Sequence, residues 1–233
     1  MFLQLNDQVV PYKEFYGTNI VQMPLLVKDG RVPMSVAGLI DRRLEVIDAK
    51  FLPEIRAAWH NNDFETGDAV LYNPNGKVKI VTDAQVLRGI NSASELSDGA
   101  LVLQPGVYEA AQGAEFTKAD LKKIIKDSLT RDEAKSNPFW QALARNQDRL
   151  NAYVDFVFNE TQRRFSHDKN MGLYLEEAQK EPTARLLYVD GLKYKSYADG
   201  RFGLDDDGGR LVGVAPEART VQKMVAKDLE HRV

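Results

Sequence analysis

The densest group of possible metal ligands in the 233-residue chain is Asp205-Asp206-Asp207, with Asp199 one turn earlier. Hard cations such as Ca²⁺ or Mg²⁺ need several oxygen ligands converging on one point. Asp199, Asp205 and Asp207 are therefore a candidate divalent-metal site, and through it a candidate metal-dependent hydrolase. The spacing is not that of an EF-hand loop, because the twelfth position counted from Asp205 is Pro216 where a bidentate glutamate is required. Adjacent aspartates on a strand also point to opposite faces. A solvated acidic turn is the simpler reading.

Two basic groupings point to a different chemistry. Lys193, Lys195 and Tyr197 alternate, which on a strand places them on one face, with Tyr188 and Arg201 close by. Lys118, Lys122 and Lys126 recur at i, i+4 spacing with Lys123 beside them, as on one side of a helix. Cations bind phosphates and aromatic rings stack on bases, so these residues are the candidate nucleic-acid-binding set. Against it stand Asp120 and Asp127, which supply ion pairs on the same helix, and the use of lysine on edge strands to block aggregation.

The remaining chemistry is sparse. His60, His167 and His231 are scattered without the spacing of a helical metal motif. His167-Asp168 could orient an imidazole, although a histidine at a helix end also suits the carbonyl dipole there. No serine sits in a G-x-S-x-G elbow, and no phosphate loop or G-x-G-x-x-G turn occurs. The absence of cysteine excludes disulfides, thiolate metal sites and thiol nucleophiles together. No cofactor motif is evident beyond the divalent metal that the acidic turn could take.

Two short resemblances bear on function. Val36-Ala37-Gly38-Leu39-Ile40-Asp41 resembles the opening of the motif that names the LAGLIDADG homing endonucleases. The position of that family's metal-binding acid is Arg43 here and its closing glycine is Leu44, so the catalytic acid does not carry over. Residues 171–181 and the strands and helix after them resemble the α-β-β-β-α order of a double-stranded-RNA-binding domain. The lysine cluster of that family falls on Pro216-Glu217-Ala218-Arg219, of which only Arg219 is basic, so the phosphate grip is not carried over either.

The elements that would position these residues read as an α+β fold, with an N-terminal mixed strand and helix portion (1–115), a helical portion (116–181) and a β-meander with a closing helix (182–233), together one compact unit. Ile20–Val27 followed by Asp29-Gly30 reads as a strand entering a hairpin, with a return strand from Arg31. Ser35 caps a helix from Val36, and a second helical stretch runs over 47–61 with Pro53 in its first turn. Asn73-Pro74-Asn75-Gly76 joins two strands, Asp83 caps a short helix, and 100–103 is a buried strand. Thr117 with Asp120 opens a helix, and Asn137-Pro138 opens a long one to about Phe165, a central strut with polar notches at Asn146, Gln147 and Thr161. Asp190-Gly191, Asp199-Gly200 and Asp207-Gly208-Gly209 separate four antiparallel strands, and Pro216 opens a final helix with Val221, Met224, Val225 and Leu229 on one face.

With 43% hydrophobic residues, 28% charged residues and a net charge of -3, the chain is globular in composition and has no global attraction to nucleic acid or anionic lipid. No run approaches the roughly 18 apolar residues of a membrane span, and the first 17 residues lack the basic start and apolar core of a signal peptide. The expected location is cytoplasmic, with no membrane partner. The lack of a catalytic constellation, together with broad apolar helices, favours a non-catalytic binding or assembly protein that self-associates. Nucleic-acid binding and metal-dependent hydrolysis are the alternatives.

Overall fold

A computed structural model describes residues 11–48, 50–177, 180–206 and 209–216. Strand β1 (Tyr12–Phe15) leads into α1 (Asn19–Lys28), β2 (Val32–Pro33), α2 (Val36–Glu45) and α3 (Pro53–Asn61). The hairpin of β3 (Phe64–Tyr72) and β4 (Val78–Val81) is followed by α4 (Gln85–Arg88), β5 (Leu96–Ser97), β6 (Ala100–Val102), α5 (Val107–Ala110) and β7 (Ala114–Phe116). Then come α6 (Lys118–Ile124), α7 (Arg131–Ser136), α8 (Pro138–Ala144) and α9 (Gln147–Phe165). The last described elements are β8 (Leu173–Tyr174), β9 (Thr183–Val189), a 3₁₀ turn (Leu192–Tyr194), β10 (Ala198–Asp199) and β11 (Leu211–Val214). The class is α+β, as the sequence predicts.

The spine of the fold is the antiparallel pair β3–β9, extended to the order β1-β11-β3-β9-β10-β8, with β4 and β7 continuing from β3 and the β5–β6 hairpin joining β9. β11 lies antiparallel to β1 and parallel to β3, so the first and last described strands meet inside one sheet. Both faces are covered. Val70 and Tyr72 of β3, with Leu187 and Val189 of β9, pack into the core under α2, α3, α8 and α9, whereas Ala69, Leu71, Ala184 and Leu186 face the core under α1 and α4. Burial on both faces explains why these strands read as continuous apolar runs.

Local signals account for several helices. Ser35 accepts from the Gly38 N–H, Pro53 occupies the first turn of α3, and Thr117 with Asp120 forms a complete capping box on α6. Asn137 caps α8, its side chain accepting from the Phe139 and Trp140 N–H groups. The Asn73–Gly76 turn closes the β3–β4 hairpin with Gly76 at a φ of +82°.

Other expectations are corrected. The segment 19–28 is helical: Asn19, Gln22, Met23 and Leu26 are buried at helical spacing, and Asp29-Gly30 ends the helix with Gly30 at a φ of +69°. The helical period was hidden because amides occupy part of the buried face while Val21 and Leu25 are exposed. The helix predicted over 47–61 begins only at Pro53. Asp83 has a φ of +53° and does not cap α4; its backbone N–H donates to Asp68. The strut predicted over 138–165 is two helices, broken where Arg145 takes a φ of +61° to reach Asp68 and Asp83, and Asn146 caps α9. Its polar notches are satisfied locally, Thr161 donating to the Val157 carbonyl and Gln147 bonding Asn151 and the Lys135 carbonyl.

The C-terminal strands depart furthest from the expected meander. β9 and β10 are antiparallel neighbours, but 192–194 is a 3₁₀ turn and 201–204 is irregular. β11 joins the far side of β3. The stretch preceding β9 holds the short β8 and, among the described residues, no helix, so the helix-first order of the RNA-binding resemblance is not seen there. The final helix predicted from Pro216 lies almost wholly outside the described residues, as does His231.

Candidate functional site

Where β9, β10 and β8 converge, an open cleft of about 690 Å³ is walled by the loop after Val189 and the segment after Asp199. The first loop closes on itself. The Tyr194 and Ser196 N–H groups both donate to the Gly191 carbonyl, the Lys195 N–H donates to Leu192, and the Asp190 N–H donates to Tyr197. Lys195 and Ser196 have φ values of +64° and +53°, which end any strand alternation.

This loop is held from below. The buried guanidinium of Arg43 on α2 donates to the Trp59 and Asn62 carbonyls, to the Tyr153 hydroxyl at 2.7 Å and to Ser196 Oγ at 3.2 Å. Tyr153 and Ser196 are themselves 2.6 Å apart. The Gly191 N–H donates to Asp63 at 2.7 Å. Gly191 must be glycine because a Cβ there would lie 2.6 Å from the Asn61 carbonyl oxygen at the end of α3.

Aromatic side chains dominate the lining. Tyr174 meets Tyr197 edge-on at 5.2 Å between ring centroids, and Phe202 packs against Tyr188 of β9 at 4.5 Å with the rings tilted by 32°. Tyr194 is 52% exposed and Phe202 39% exposed, large values for residues of their type. The Arg201 guanidinium lies 4.5 Å from the Tyr174 ring centroid and is bonded by both oxygens of Asp199, at 2.6–3.2 Å. The Lys193 and Lys195 ammonium groups stand 5.5 and 6.0 Å from the Tyr194 and Tyr197 rings.

The floor is acidic. Asp63, Asp190 and Asp199 all line the cleft. Burial, followed by the neighbouring charges of Asp63 and Asp199, pushes the Asp190 carboxyl up to about 7, while Arg43 and Arg201 oppose the rise. Burial also raises the Tyr174 hydroxyl to about 12. The bond to Asp199 is the main cause that holds Arg201 firmly charged.

Lys193, Lys195, Tyr197 and Arg201 are thus brought together, although by a closed loop and not by a strand face. Tyr188 lies behind them against Phe202. Lys118, Lys122 and Lys126 lie elsewhere. Lys118 lines a cavity of about 400 Å³ beside the Asn73–Gly76 turn, Lys122 is exposed on α6, and Lys126 falls beyond the helix end and pairs with Glu133 at 2.5 Å. Asp199 is engaged by Arg201, and the neighbour of Asp205, Asp206, accepts from the Gly203 N–H at 2.7 Å. Asp207 is outside the described residues. Among the described residues, no group of three or more histidine or carboxylate side chains is placed to hold a metal ion.

Asp63, Tyr174, Asp190, Tyr194 and Phe202 join the site without any sequence motif; the density of tyrosine and Asp-Gly turns over 188–202 was the available signal. His167 also lines the cleft, following the helix-ending Ser166 with its ring stacked 5.8 Å from Phe165. His60 is elsewhere, half of a contact between α3 and α2 in which Nε2 lies 2.9 Å from the Arg43 carbonyl. It borders a smaller cavity of about 290 Å³ lined by Arg56, Arg163 and Arg164, of which Arg163 is engaged by Glu160 and Arg164 by Asn61. No helix among the described residues is long and apolar enough to cross a membrane.

No protein-family model matches the sequence, and no curated protein matches it. A solved structure described as the accommodation of massive sequence variation in Nanoarchaeota by the C-type lectin fold is similar, with a TM-score of 0.65 and 18% identity over 87% of this chain and 97% of that one. At that identity the likeness is one of fold: the chain shares the C-type lectin fold.

Proposed function

We propose that this chain is a non-catalytic binding module whose cleft takes an exposed segment of another polypeptide. The observation that carries the reading is the convergence of Tyr174, Tyr194, Tyr197 and Phe202 around one open cleft on a rigid base. Tyrosine offers large contact area at low entropic cost, with an apolar body and a polar tip, and is the residue from which paratopes are largely built. The nanoarchaeal structure is described as a C-type lectin fold that accommodates massive sequence variation. In this chain Tyr194 and Phe202 are exposed while the β3–β9 spine beneath is buried, an arrangement in which surface residues vary without disturbing the base.

Peptides selected from a random display library on the wild-type protein are expected to bind about ten-fold or more weakly to the Tyr194→Ala/Phe202→Ala variant, the loss typical of aromatic anchors. Equal affinity for both proteins would refute the reading. Lys193, Lys195 and Arg201 beside the rings favour a second reading, stacking of single-stranded nucleic acid. Binding of labelled oligo(dT) that collapses with added salt and is lost in the same variant would support it.

A further inference from the structure

We propose that the ligand anchors itself in the cleft through a cationic side chain, lysine or arginine, seated against Asp190 within the aromatic lining. This rests on the binding reading above and adds the chemical class of the anchor. The other charged groups at the floor are engaged. Asp199 holds Arg201 with both oxygens, Asp63 accepts from Gly191, and Arg43 is bound to two carbonyls and two hydroxyls. The Asp190 backbone is also engaged, its N–H donating to Tyr197. Among the described residues, however, no hydrogen bond or ion pair engages its carboxylate.

Asp190 lines the cleft beside Asp63 and Asp199, and although the charges of Arg43 and Arg201 reach it, both guanidinium groups are hydrogen-bonded elsewhere, so an incoming cation supplies the direct ion pair that it lacks. Aromatic rings around it accept the apolar stem of lysine or arginine and attract its charge. Lys193 and Lys195 approach the Tyr194 and Tyr197 rings but form no ion pair with Asp190. A phosphate reaching the same floor would meet charge of its own sign.

The test uses capped hexapeptide mixtures with one fixed central residue, Arg, Lys, Leu or Glu, read by fluorescence polarisation against the full chain. The Arg and Lys mixtures are expected to bind about ten-fold tighter than the Leu and Glu mixtures, the scale of one charge-assisted contact. That preference should disappear in Asp190→Asn and return in Asp190→Glu, with the thermal midpoint of Asp190→Asn not below wild type. Cleft-dependent binding that prefers Leu or Glu, or a cation preference that survives in Asp190→Asn, overturns the anchor while leaving the binding reading intact. Absence of binding by every mixture, or binding unaffected by Tyr194→Ala/Phe202→Ala, overturns both.

Discussion

Glu65 shows how one buried side chain can set the pH dependence of the fold. It accepts from Asn19 at 2.7 Å and Gln22 at 2.5 Å, tying α1 to β3, and Gly209 leaves room for it. Burial nevertheless outweighs these bonds and pushes its carboxyl up to about 7. The native state therefore binds more protons than the unfolded state between the ordinary carboxylate value and about 7. Stability from this group is present at low pH, falls as pH rises through that window, and is lost above it. Asp190 acts in the same direction, whereas His60, lowered by burial, opposes it below the ordinary histidine value; two raised carboxylates outweigh one lowered imidazole, and above that value they act alone. Melting temperature should thus fall between about pH 5 and pH 8, and Glu65→Gln should be the more stable protein at pH 8 by an amount on the order of 1–3 kcal/mol. Calorimetry across that range checks it; a melting temperature of wild type that rises toward pH 8 would contradict it.

At the scale of elements, the cleft depends on where backbones touch. Gly191 lies against the end of α3 so closely that a methyl group must displace one of them. Gly191→Ala is expected to cost about 1–3 kcal/mol in urea unfolding, as overpacking does, and to speed amide exchange over 190–197. Unchanged exchange there would mean the loop does not depend on this contact. Elements whose signals are local were legible in the sequence: the Ser35, Thr117 and Asn137 caps and the Asn73–Gly76 hairpin. The capping box of Thr130 and Glu133 at the start of α7 is an equally local signal. What could not be read has long-range causes. The break at Arg145 is stabilised by Asp68 and Asp83, separated from it by 77 and 62 residues, and the turn at Ser196 by Arg43, 153 residues away. The alternation of Lys193, Lys195 and Tyr197 is not that of a strand, yet the turn that replaces it gathers all three in the cleft.

For the whole molecule, the sheet supports the cleft from beneath. β1 and β11 close one side, both faces of β3 and β9 are buried, and α9 with α2 braces the cleft loop through Tyr153 and Arg43. The exposed cleft residues Tyr194 and Phe202 can therefore change without repacking the core, a property suited to the proposed binding role. The claim that this cleft is the recognition surface is tested most directly by amide chemical-shift mapping with the tightest selected peptide. The perturbations are expected to cluster at 190–202, with Tyr174 and Asp63. A cluster centred on the exposed Val21 and Leu25 of α1, with 190–202 unmoved, would contradict it.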